Sequence, residues 1–148
     1  MDASVYTPNS SYGEQFVNDL ILLIKFNIDN QSDLERSRPG IEFERKCAQK
    51  LAEAGFNVEL TPTTGDFGAD IICSKDGISF AIQCKDLIKP AGVKAIQEIS
   101  SAILHYTVDF GVVCADSGFT NSAIQLASSN KIIVTNLENL PARLDSAC

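Results

Sequence analysis

Between Ala69 and Lys85, two apolar runs stand either side of Asp76-Gly77. An Asp-Gly pair flanked this way is the strongest short-range signal for a β-hairpin, because the tight turn needs positive φ at both central residues. The pattern predicts a strand over 69–74 and a returning strand over 78–85, with alternation at Ile78, Phe80, Ile82 and Cys84. The rest of the chain has to supply elements that cover this hairpin.

Upstream, residues 1–12 are rich in Ser, Thr, Asn and Pro and read as a loose start. Phe16, Val17, Leu20, Ile21, Ile24 and Ile28 follow at helical spacing within 13–28. Residues 29–38 read as a polar connector. Pro39 and Gly40 open a second helix, with Ile41, Phe43, Cys47, Ala48, Leu51 and Ala52 along one side and Gly55 as its C-terminal stop. A short strand over 57–60 and a turn-rich loop over 61–68 lead into the hairpin.

Downstream, Pro90 and Gly92 break the chain. Val93, Ile96, Ile99, Ala102, Ile103 and Tyr106 then form the stripe of a helix over 93–106. The apolar run 110–115 suits a buried central strand. Thr120 is placed to cap a helix over 121–130. A last strand is expected over 131–135 and a short helix over 136–144. The order gives a central mixed β-sheet flanked by helices, of the α/β class, with an extra N-terminal helix. There is no GxGxxG and no GxxxxGK[ST], so no dinucleotide or P-loop site is indicated.

The hairpin also carries the chemistry. Gln83 and Lys85 are two apart on one strand, so they project to the same face about 7 Å apart, while Cys84 points the other way. Pairing about Asp76-Gly77 sets Asp70 across from their end of the strand. A carboxylate, an amide oxygen and an ammonium then meet in one place. Mg²⁺ takes hard oxygen ligands such as Asp70 and the Gln83 carbonyl. Lys85 can stabilise charge developing on a phosphoryl group, or hold an attacking water. Glu42, Glu44 and Glu53 on the preceding helix are candidates for a second acid. Glu42 and Glu44 lie about 200° apart around a helix, so they cannot share a face.

Charge and cysteines bound the rest. The 148 residues fit one ordinary domain, and their formal net charge of −7 counts against tight, autonomous, non-specific DNA binding. A partner, a dimer or a metal is expected to do part of that work. Cys47, Cys73, Cys84, Cys114 and Cys148 form no CxxC pair and read as reduced, mostly buried thiols of a cytosolic protein. The N-terminus has no basic region followed by a cleavage site, and Leu20–Ile24 is too short to span a membrane. A cytoplasmic protein without membrane association is expected.

The stretches GIEFERKCAQKLAEAGFNVELT, TGDFGADIIC, FAIQCK and FGVVCADSGFTNSAIQLA occur in this order. Together they resemble the Mrr-like restriction endonuclease domain of the PD-(D/E)xK nuclease superfamily, and the QxK form is specific to that branch. The resemblance covers residues 39 to about 140. It implies a restriction-endonuclease-like core over 39–148, with 1–38 as an extension whose helix packs or dimerises. It also implies a Mg²⁺-dependent DNA endonuclease, with Mn²⁺ substituting, directed at foreign or modified DNA.

Matched by motif, Asp70 is the metal-binding aspartate. Gln83 takes the place that is Asp or Glu in the wider superfamily, Lys85 is the catalytic lysine, and Glu44 is the helix glutamate that helps the metal site. Asp66 is expected to hold its loop, and Gln97 to approach the site in support. The expected partners are DNA and a second copy of the chain or a larger complex. The alternatives are a nuclease-fold subunit that needs a partner for targeting or activity, and a structure-selective or toxin-like nuclease.

Overall fold

Asp76 and Gly77 turn the chain back on itself with φ of 54° and 81°, and Lys75 pairs directly with Ile78. The computed structural model in which this hairpin is seen describes residues 40–62 and 67–148. The helix expected over 13–28, the connector over 29–38 and Asp66 lie outside the described residues.

Among the described residues, five strands form one sheet: β1 (Asn57–Leu60), β2 (Ile71–Lys75), β3 (Ile78–Cys84), β4 (Phe110–Cys114) and β5 (Ile132–Thr135). They lie side by side in chain order. Neighbours are antiparallel from β1 to β3 and parallel from β3 to β5. Helix α1 (Ile41–Glu53) precedes the sheet. Helices α2 (Val93–Tyr106) and α3 (Asn121–Ser129) connect the parallel strands, as parallel pairing requires of its crossovers. A short α4 (Leu140–Asp145) ends the chain.

The helix ends follow local chemistry. Gly55, at φ 94°, closes α1: its N–H donates to the Ala52 carbonyl, and that of Phe56 donates to Leu51. Carbonyls that the helix leaves unpaired are thereby satisfied. Thr120 Oγ1 accepts the Ala123 N–H at 3.1 Å, as its capping position predicts. The last helix starts later than expected. Asp116 Oδ1 accepts from Leu137 N and Asn136 Oδ1 from Asn139 N, which fixes residues 136–139 in a turn before Leu140.

Alternation on β3 is also less simple than expected. Phe80 through Gln83 are all buried, because helices cover both faces of the sheet. Ala81, Val113 and Ala115 pack against Ala95, Ile96, Ile99 and Ala102 of α2 and Ala123 and Ala127 of α3. The opposite face belongs to α1, whose Cys47 Sγ lies 3.8 Å from Cys114 Sγ. All five cysteines are free; Cys47, Cys73 and Cys114 are buried and Cys148 is exposed. Burial, and then the proximity of Cys148, push the Cys73 thiol up to about 12. No described helix is long and apolar enough to cross a membrane.

Candidate functional site

The pairing of Ile71 with Ile82 sets Asp70 opposite Gln83 at the open end of the hairpin. Strand parity then fixes the face. Ile72 and Ala81 belong to the α2 side, and side chains two residues apart share a face. Asp70, Gln83 and Lys85 are therefore all carried on the side that α2 covers. The three residues that the sequence sets on one face are carried on one face by this register.

Asp70 is clamped from both flanks. Its N–H donates to the Ile82 carbonyl at 2.8 Å, and its own carbonyl accepts from Thr61 N and Oγ1, each at 3.1 Å. Its carboxylate Oδ2 accepts the Cys84 N–H at 2.8 Å. A side chain thus takes a place that the backbone ladder would fill, and β2 begins at Ile71 rather than at the expected Ala69. A charged acceptor makes this hydrogen bond one of the stronger kind.

Gln83 is 7% exposed, and its Oε1 is a buried oxygen with no hydrogen-bond partner among the described residues. A buried carbonyl oxygen left this way costs about 1–3 kcal/mol, so its retention needs a reason. Lys85 is anchored by its N–H to the Cys114 carbonyl at 2.9 Å. Its Nζ lies 3.2 Å from Glu98 Oε1, with the two side chains 27% and 36% exposed.

Glu98 was not among the residues expected at the site. Gln97, its neighbour, is exposed, and α2 brings Glu98 to Lys85 instead. A signal was available: Glu98 stands three residues after Ala95 and four before Ala102, both in the buried stripe of α2. A carboxylate in register with that stripe faces the sheet.

Glu44 is partly buried in the first turn of α1. The start of this helix abuts the residue after Lys85, since a Cβ placed on Gly40 would lie 3.8 Å from Asp86 Cβ. Glu42 is exposed and paired with Arg45. The two glutamates that the sequence left as alternatives are thus in different environments. Glu53, at the far end of α1, is exposed. Lys89 and Lys94, in the loop after Lys85 and the first turn of α2, are exposed.

Among the described residues, no three His, Cys, Asp or Glu side chains gather into a metal-holding cluster. The donors for a hard cation are instead a carboxylate, Asp70, and the unpartnered amide oxygen of Gln83. Both are oxygen donors of the kind Mg²⁺ or Mn²⁺ accepts with several waters retained. The residues present fit such an ion with little protein charge around it.

Comparisons with known proteins bear on the family and the fold. The restriction endonuclease family of Mrr catalytic domains matches residues 36–144. No curated protein sequence matches the chain. Among solved structures, the chain is similar to a protein of unknown function, AF1548, at 19% identity and a TM-score of 0.56, covering 71% of this chain and 66% of that one. It is also similar to the DNA modification-dependent restriction endonuclease AspBHI, at 21% identity and a TM-score of 0.55, covering 99% of this chain and 40% of that one. The MspJI restriction endonuclease in complex with a 27-mer oligonucleotide matches at 16% identity and a TM-score of 0.47, with 97% and 35% covered. At these identities the likeness to the first two establishes the fold, and the chain spans less than two thirds of each of the three. The family match extends over most of the chain and includes every described site residue: this protein belongs to the Mrr-type restriction endonuclease family and carries its nuclease domain.

Proposed function

We propose that this domain is a divalent-metal-dependent DNA endonuclease, with Asp70, Gln83 and Lys85 as its reaction centre and Glu44 in support. The observation that carries the reading is the buried Gln83 Oε1, without a hydrogen-bond partner among the described residues, on the same face of the sheet as Asp70 and Lys85. A native core retains an unsatisfied oxygen at a cost, and a hard cation is the partner that its chemistry suits. Bound there, Mg²⁺ or Mn²⁺ supplies Lewis acidity toward a phosphoryl oxygen and acidifies water.

The chain's own residues do the rest. Asp70 is held rigid by Thr61 and by the Cys84 N–H, so its carboxylate needs little reorganisation to bind. Gln83 contributes a neutral oxygen fixed by burial. Lys85 brings positive charge beside the scissile phosphate and stabilises the negative charge that develops as a water oxygen, losing its proton, adds to phosphorus and the P–O bond to one sugar oxygen breaks, that oxygen leaving as a protonated hydroxyl. Lys89 and Lys94 meet the flanking phosphates. A role in restriction of foreign DNA, in the cytoplasm and as a homodimer with one site per strand, fits the family and extends the same proposal.

The net charge of −7 favours a second reading, in which DNA targeting is supplied by a partner. Supercoiled plasmid and single-stranded DNA incubated with Mg²⁺, Mn²⁺ or EDTA separate the two. Metal-dependent nicking or linearisation by the protein alone supports the first reading. Cleavage that persists in EDTA refutes the metal dependence. Cleavage that appears only when a co-purifying partner is added supports the second.

A further inference from the structure

Two contacts, one from the loop before the hairpin and one from the residue that follows it, converge on one residue of α2. The Glu98 side chain receives the Lys85 ammonium at 3.2 Å. The Glu98 backbone carbonyl backs the loop that leads into Asp70: a Cβ placed on Gly68 would lie 2.4 Å from that oxygen, so only glycine allows this approach. Gly68 is at φ 87° and precedes Asp70 by two residues. One turn of helix therefore touches the approach to the carboxylate with its main chain and the ammonium with its side chain.

We propose that Glu98 is a positioning residue for the cleavage reaction: its carboxylate holds Lys85 Nζ in place, while its carbonyl sets where the Asp70 loop lies. The inference rests on the nuclease reading of this site. An ammonium has three donors on a flexible stem of four carbons. One donor committed to Glu98 leaves the other two aimed from a fixed point toward the face that Asp70 and Gln83 share. Without that anchor the Lys85 head samples several rotamers, and the charge is spread away from the phosphate. The partial exposure of both groups makes the pair a weak contributor to stability, so its consequence lies in where the ammonium sits.

Glu98→Ala and Glu98→Gln are compared with wild type in two measurements. In cleavage, Glu98→Ala is expected to lower the rate constant about 100-fold, the scale of a misplacement of about 1 Å. The apparent KM for DNA is expected to stay within about threefold. Glu98→Gln keeps an acceptor of the same reach and is expected to recover about tenfold of that loss. A rise in KM with an unchanged rate constant would overturn the proposal, as would full activity in Glu98→Ala.

The second measurement needs no catalysis. Lysine-ammonium NMR of ¹⁵N-lysine protein, with the Lys85 signal assigned through Lys85→Arg, is expected to show a distinct Lys85 resonance that is lost or displaced in Glu98→Ala. An unchanged resonance would refute the anchoring. If wild type cuts no DNA even with a co-purifying partner present, the nuclease reading fails, and the ammonium spectrum still decides whether Glu98 anchors Lys85. If Glu98→Ala does not fold, Glu98→Gln serves in both measurements.

Discussion

Replacing Gly68 with alanine puts the close approach between the Asp70 loop and α2 to a quantitative test. The backbone there is left-handed, with φ at 87°, which costs an L-residue about 1–2 kcal/mol. The added methyl would also meet the Glu98 carbonyl oxygen at 2.4 Å and its carbon at 3.0 Å. Both are main-chain atoms of a helix and cannot rotate aside. Forcing a group into such a contact costs about 1–3 kcal/mol more, so Gly68→Ala should destabilise the domain by about 2–5 kcal/mol.

Gly77 provides the control. It has φ of 81°, and a Cβ placed on it would meet nothing within 4 Å, so Gly77→Ala should cost only the conformational term of about 1–2 kcal/mol. The loss of backbone freedom in the unfolded chain offsets both variants equally. Urea unfolding followed by circular dichroism gives the two free energies. Gly68→Ala should also lower cleavage disproportionately, since the strain falls two residues from Asp70. Equal destabilisation by the two substitutions, with cleavage intact, would refute this seating of the loop against α2.

Two further substitutions probe the oxygens of the site. Gln83→Met replaces the amide, whose Oε1 has no hydrogen-bond partner among the described residues, by an apolar group of similar size, so thermal stability should hold or rise by about 1–3 kcal/mol while Mn²⁺ binding by calorimetry weakens; a marked loss of stability would mean that the amide already has a partner. Asp70→Ala removes the acceptor for the Cys84 N–H and should cost about 1.5–3 kcal/mol in urea unfolding, whereas Asp70→Asn retains an acceptor and should cost less. Both Asp70 variants should lose cleavage, and wild-type cutting by Asp70→Asn would remove Asp70 from the centre.

Much of the architecture was legible because it is written in local chemistry. The Asp76-Gly77 turn fixes the hairpin register, and that register alone brings Asp70 opposite Gln83. Gly55 and Thr120 mark helix ends whose hydrogen bonds they supply. What escaped was decided by tertiary contact. Both Glu42 and Glu44 are plausible acids from spacing alone, and only the packed helix separates an exposed Glu42 paired with Arg45 from a partly buried Glu44. Gln97 was the helix residue expected to approach the site, whereas the rotation of α2 on the sheet brings Glu98 to Lys85. The buried, unpartnered state of Gln83 Oε1 depends on helices covering both faces of β3, which no alternation pattern reveals.

Whether this site cuts DNA is decided most simply by plasmid cleavage with wild type and Lys85→Ala, purified side by side and assayed with Mg²⁺ or Mn²⁺. Lys85 is partly exposed and its ammonium pairs with the partly exposed Glu98, so the variant should keep its fold and its circular dichroism spectrum. Wild type should cut in a metal-dependent way, and the variant should lose about 10²–10³-fold or more, the scale set by removing one group that stabilises transition-state charge. Equal cutting by the two proteins would contradict the assignment of Lys85 and of the centre built around it.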